Sequence, residues 1–164
     1  MAPRLENFVI QPPPKTNKGF WDGYNNVGIG VTAIASVLNH LGSLSIPKAL
    51  LIIPMIVHRP TLNHMANKGT LERGSAALSS GHPQLFVNFN ERFESCLPLS
   101  VNSIQLLAHL GYAKLGEVLV RQRRLVIDSD LGQRAKKIDL ASEKISELLL
   151  EPDEELYLNF RVQL

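Results

Sequence analysis

The sequence predicts a mainly α protein with a small β-hairpin, an α+β chain whose helical body carries a winged-helix-like C-terminal half. Three observations predict it. Apolar residues recur at helical spacing over most of the chain from Asn26 onward. The period then changes after Gly111, where Glu117–Ile127 is rich in Val, Leu and Ile around three arginines. A helix, a glycine and a hairpin in that order is how a winged helix-turn-helix ends. At 164 residues the chain has room for one domain with its own core. Residues 25–164 read as that single mostly helical domain, with the winged-helix-like part at about 98–130.

Residues 1–24 read instead as an extended arm. Pro12-Pro13-Pro14 blocks helix and favours a polyproline conformation. Phe20, Trp21 and Tyr24 follow closely and are candidate anchors, either onto the chain's own core or onto a partner. The first helix is expected at Asn26–Leu41, with Val27, Val31, Ile34, Leu38 and Leu41 on one face and Gly42 after its end. Ser45-Ile46-Pro47 starts the next one. It runs through the apolar Leu50–Val57 as a buried helix kinked at Pro54, and Pro60 ends it.

Thr61–Asn67 and Thr70–Ser80 read as short helices with loops. Pro83–Cys96 reads as a helix with Leu85, Phe89, Phe93 and Cys96 inward. Leu97-Pro98-Leu99 is expected to break the chain and leave Ser100 to cap a helix at Val101–Leu110, closed by Gly111. Glu117–Ile127 supplies one or two strands with a basic turn, and Gln133–Leu149 a last long amphipathic helix. Pro152 starts a final element, Asp153–Leu164, carrying Leu156, Tyr157, Phe160 and Val162.

Composition narrows the function classes. A net charge of +2 is too small to announce a nucleic-acid or membrane partner. The single cysteine, Cys96, excludes an internal disulfide and a Cys-based zinc site. The first residues show no basic stretch followed by an apolar core, and the longest apolar run, Ala49–Val57, is far short of the ~20 residues that span a bilayer. The expectation is a cytoplasmic protein with no membrane contact.

Motifs of chemistry are weak. Gly28-Ile29-Gly30-Val31-Thr32-Ala33 fits a permissive dinucleotide fingerprint, which needs a buried strand before it and an acid about twenty positions on. Neither is present, so these small residues read as a close helix contact and no cofactor is expected. His40, His58, His64, His82 and His109 show no metal-ligand spacing. Glu151, Asp153, Glu154 and Glu155 suit a helix N-terminus. Arg121, Arg123 and Arg124 are the most pointed feature, because a guanidinium fork binds phosphate or carboxylate with two bonds at once. They are candidates for contact with DNA or an acidic partner, against the plainer reading of a solvated turn.

Several segments together resemble the middle components of ABC-type three-component bacterial defence systems, the group that includes the Lamassu accessory subunit LmuC. They are the Asn-rich start Tyr24-Asn25-Asn26, the run Leu50–Thr61 with its His58-Arg59-Pro60-Thr61 end, Arg92 ahead of Leu97-Pro98-Leu99, the stretch Val101–Ile127, and Tyr157–Val162. The resemblance spans about residues 24–162 in order. Leu62 stands where the family often has a second basic residue, and the Pro-rich arm has no counterpart.

The resemblance implies a non-enzymatic adaptor in anti-phage or anti-plasmid defence. Its partners would be an SMC-like ABC ATPase that senses DNA and a nuclease-type effector of the same operon, with DNA reached through the complex. Phe20, Trp21, Tyr24, Leu156, Tyr157, Phe160 and Val162 are then the candidate partner interface. The alternative is a free-standing winged-helix transcription regulator. Its recognition helix, Val101–Leu110, would offer Asn102, Ser103, Gln105 and His109 but no Arg or Lys.

Overall fold

The computed structural model describes residues 23–69 and 73–164. Helices dominate: α1 (Gly23–Leu41), α2 (Ile46–Val57), α3 (Arg59–Ala66), α4 (Ser75–Gly81), α5 (Phe89–His109), α6 (Gly132–Leu148) and α7 (Asp153–Asn159). Three short strands, β1 (Ser43–Ser45), β2 (Ala113–Leu115) and β3 (Val118–Arg121), form one antiparallel sheet in the order β1-β3-β2. The α+β class is therefore as expected. No helix among the described residues is long and apolar enough to cross a membrane.

The core is built around α2. Its sequence is apolar almost throughout, so it has no face that prefers water. Ala49 and Leu51–Ile56 are all buried, Pro54 among them. Ser45 starts the helix by accepting the Lys48 N–H, and Pro47 sits in the first turn, where its missing N–H costs nothing. α1, α3 and α5 all pack on α2, while α6 packs on α1 and α3.

Two expectations about breaks are corrected. Pro98 does not divide the chain: α5 runs through it as one helix of 21 residues, and Ser100 is buried in its interior. A proline inside a helix costs about 3 kcal/mol. Burying a large apolar side chain returns about 1.5–3 kcal/mol, and α5 buries Phe93 before the proline and Ile104 and Leu107 after it. One continuous helix keeps both groups against α1 and α2, with Pro98 on the exposed side. Conversely, the helix expected from Pro83 begins only at Phe89, after a short 3-10 turn at Pro83–Leu85.

The hairpin lies earlier than expected. β2 ends at Leu115 and β3 starts at Val118, so Gly116-Glu117 lies between the strands and the arginines fall at the end of β3 and beyond. β1 has no counterpart in the sequence reading. Three residues are too few to show an alternating pattern, and β1 exists because Leu44 pairs with Leu119 and both are buried.

The chain reverses as glycine chemistry requires. Gly111 has φ +74°, its N–H meets the Ala108 carbonyl, and the Tyr112 N–H meets that of Leu107. This is the paired-bond ending that favours glycine. α7 ends the same way, with the Arg161 N–H on the Leu158 carbonyl and the Val162 N–H on that of Tyr157, but here a non-glycine residue carries φ +58°. Left-handed backbone costs a side-chain-bearing residue about 1–2 kcal/mol. Arg161→Gly is therefore expected to stabilise the chain by about 1 kcal/mol in a denaturant titration.

Candidate partner-contact sites

Helix C-termini leave carbonyls without intrahelical partners and carry partial negative charge. The expected DNA-contacting arginines are drawn to such ends. Arg121 donates from Nη1 to the Asn39 carbonyl at 2.6 Å, in the last turn of α1. Arg123 donates from Nη2 to the Leu110 carbonyl at 2.6 Å and from Nε to that of Gly111 at 3.2 Å, and its guanidinium lies 4.6 Å from the Tyr112 ring centre. Two arginines of the triplet thus cap the ends of α1 and α5, and the residues between β2 and β3 are Gly116-Glu117, not arginines. Arg124 is exposed. Arg121→Ala or Arg123→Ala is expected to lower thermal stability by about 1–2 kcal/mol, as loss of a charged hydrogen bond does. An unchanged melting curve would show that these caps carry no weight.

The aromatic residues of the C-terminal segment face inward. Leu156 and Phe160 are fully buried and Tyr157 nearly so, with Val162 half-buried against the core. Phe160 stacks on Phe86 at 4.7 Å and meets Phe89 at 5.4 Å. Tyr157 packs edge-on against Phe93 and donates its hydroxyl to the Pro47 carbonyl at 2.8 Å. Burial, with Asp153 nearby, pushes that hydroxyl's pKa up to about 12. In this fold these side chains are part of the chain's own core: α7 is short, and docking its apolar face stabilises it. Phe20 and Trp21 lie outside the described residues, and Tyr24 stands in the first turn of α1.

The structure joins segments that are distant in sequence. His58, Thr61 and Arg92 converge around the Leu85 carbonyl. The Thr61 hydroxyl donates to it at 3.2 Å and Arg92 Nη2 at 2.8 Å. Because the Thr61 proton is committed there, His58 Nδ1 donates to Thr61 Oγ1 at 2.7 Å, which fixes the tautomer. Arg92 also reaches the Val87 carbonyl and lies over the Phe89 ring. The cluster ties the start of α3 to the turn before α5.

Burial, and then the Arg92 charge, hold the His58 pKa below the ordinary 6.5. The unfolded chain consequently takes up that proton first, and stability is lost as pH falls from about 6.5 toward the lowered folded value. His58→Asn, neutral at every pH and a good helix cap, is expected to show a smaller drop in melting temperature between pH 7.5 and 5.5 than the wild-type chain. Equal drops would remove His58 from the cause. Cys96, on α5 with Arg92, is buried, and burial raises its thiol pKa, so it behaves as a small hydrophobe.

A site that sequence reasoning missed lies where α3 runs beside α6. A groove of about 710 Å³ opens there. Its apolar lining comes from Ile56, Leu62, Ala66 and Leu140, the last 41% exposed. Arg59 lines it from α3, and Arg134, Lys136 and Lys137 from α6; no carboxylate of the described residues does. Lys137 Nζ spans to Asn63 Oδ1 at 2.6 Å. The first turn of α6 carries no acid, so the positive pole of the helix adds to the cations. The available signal was Arg134, Lys136 and Lys137 crowded into about one turn, but nothing local tied them to Arg59.

Among the described residues, no group of three or more His, Cys, Asp or Glu side chains could hold a metal ion. The family model described as "ABC-three component (ABC-3C) system Middle Component 3" matches residues 34–164. That match takes in α2 to α7, the whole sheet and the groove. No curated protein and no solved structure matches the chain.

Proposed function

This chain belongs to the Middle Component 3 family of ABC-three component systems, and from that membership we propose that it is a non-enzymatic adaptor subunit. In this reading it works in the cytoplasm within a defence complex of the Lamassu kind. It couples an SMC-like ABC ATPase, which senses DNA, to an effector such as a nuclease directed against phage or plasmids. The family match over residues 34–164 carries the proposal, since a middle component implies neighbours to join. A basic groove with an apolar lining is the kind of surface a subunit contact uses.

The order α1-β1-α2, then α5-β2-β3, with the sheet in the order β1-β3-β2, favours a winged-helix-like body and so keeps a DNA-binding regulator as the second reading. Against it stand the side chains available for a groove of DNA. The exposed positions on the second half of α5 are Val101, Asn102, Gln105 and His109, without a cation. Arg121 and Arg123 are bonded to helix ends.

Co-expression of the tagged chain with the other two components of its system, followed by size exclusion and mass determination, tests the proposal. A stable complex containing the ATPase is the expected result. A lone monomer or dimer that shifts duplex DNA would overturn the adaptor reading and favour the regulator.

A further inference from the structure

We infer that the α3–α6 groove is the seat of an acidic amphipathic helix supplied by a neighbouring subunit, an inference that rests on the adaptor reading. The shape comes first. Positions 59, 62, 63 and 66 of α3 and 133, 136, 137 and 140 of α6 line the groove, the spacing of single helix faces. At 1.5 Å per residue, the eight residues of α3 give a trough about 12 Å long, room for about two turns of a helix. Helix-in-groove recognition places apolar anchors three and four residues apart into such a trough.

The chemistry selects the occupant. Arg59, Lys136 and Lys137 are exposed on the two rims, while Leu140 and half-buried Ala66 supply apolar surface, with Leu62 buried beneath. The segment that fits presents Leu- or Ile-like residues along one face and Asp or Glu on both flanks. Nucleic acid satisfies the cations but leaves the apolar surface without a partner, because its outer edge is phosphate and sugar. The chain's own first 22 residues are a poor match. Arg4, Lys15 and Lys18 against Glu6 and Asp22 make that stretch net positive, at +1 from three cations less two anions.

The groove also suits a coupling role by its placement. α3 follows α2, the centre of the core, across the single residue His58. A helix seated against α3 therefore lies one residue from the His58–Thr61–Arg92 cluster and from the element that α1 and α5 both pack on.

The test uses the full-length chain with its two neighbouring components. Three variants are compared with wild type in co-purification at increasing salt: Lys136→Glu with Lys137→Glu, Leu140→Asp, and Leu158→Asp as a control at a 77% exposed apolar position of α7. The two groove variants are expected to lose one of the two neighbours, with its apparent Kd raised at least about tenfold, while the other neighbour is retained. The wild-type contact is expected to weaken with salt, and the control to match wild type. Circular dichroism melts confirm that each variant folds, which exposed positions should permit.

If wild type assembles and both groove variants keep both neighbours, the groove inference is wrong and the adaptor reading stands. If wild type captures neither neighbour, both fail. If a duplex DNA oligonucleotide binds wild type and is lost on Lys136→Glu with Lys137→Glu while both neighbours remain, the groove belongs to nucleic acid and the inference is overturned.

Discussion

Phe160→Ala is expected to destabilise the isolated chain by about 3–5 kcal/mol, the usual loss when a fully buried phenylalanine is truncated. For a domain of this size that corresponds to a fall in melting temperature of about 6–20 °C. The reason is positional. Phe160 is completely buried, between Phe86 ahead of α5 and Phe89 at its start. Its ring closes the end of the chain onto the beginning of the longest helix. Removal leaves a cavity beside two other aromatic rings and releases the cap that holds α7. Leu158→Ala, one residue beyond Tyr157 but 77% exposed, is expected to stay within about 0.5 kcal/mol of wild type. A Phe160→Ala chain that melts like wild type would mean the terminal segment is undocked in solution and free to hold a partner.

The second large effect is expected at Gly30, with Gly28 as its internal comparison. A Cβ on Gly30 would overlap the Ser103 hydroxyl and lie 3.0 Å from Ile53 Cδ1 and 3.1 Å from Ser103 Cβ. Rotating Ser103 relieves only the first contact, and Ile53 is fully buried. Gly30→Ala must then push α1 away from α5 and α2, at a cost of about 1–3 kcal/mol in a packed core. Gly28 is exposed, with nothing within 4 Å of the corresponding Cβ. Gly28→Ala is expected to be neutral or to stabilise by up to about 1 kcal/mol through helix propensity. The double variant Gly30→Ala with Ser103→Gly is expected to recover part of the loss. Thermal melts of the four chains decide the matter, and equal effects at Gly28 and Gly30 would refute the close-contact account.

The same pair bears on the sequence motif that contains it. Read alone, Gly28-Ile29-Gly30 is compatible with a phosphate-binding turn. In the fold it lies inside α1, with no strand before it among the described residues, and one of its two glycines packs directly against Ser103 of α5. The motif is a packing device. Its meaning rests on which glycine faces the neighbouring helix, and that depends on an element some seventy residues away.

Much of the architecture was legible because it rests on local signals. The helical faces of α1 and α6 show as spaced apolar residues. Ile34 and Leu38, and Ile138, Ala141, Ile145, Leu148 and Leu149, are all buried. Gly42 and Gly111 take the positive φ expected of residues just past a helix. The acidic run Asp153-Glu154-Glu155 sits in the first turn of α7. Each of these follows from the backbone's own hydrogen-bonding or dipole requirements, which neighbouring residues meet.

The contact surfaces were not legible in that way. Arg121, Arg123 and Arg124 advertise a basic tip, yet two of them are held by carbonyls at the ends of α1 and α5. A guanidinium can donate to helix-terminal carbonyls as well as to a phosphate, and only the path of β3 past both termini decides between them. Tyr157 and Phe160 likewise satisfy a core or an interface equally well as residue types. The groove is the converse case: Arg59 and Lys136 line one trough only because α3 and α6 lie side by side.

The sequence by itself determined the α+β class, the ends of most helices, the buried faces and the family resemblance that the match over residues 34–164 bears out for the ABC-three component middle components. The tertiary structure alone decided that α5 passes through Pro98, that β1 forms, that two of the three arginines cap helices and that a basic, apolar-lined groove exists. The physical reason is one of range. Periodicity and capping are settled within a few residues, whereas the partner of a charge or an aromatic ring is chosen by whichever distant element the packed core brings within reach.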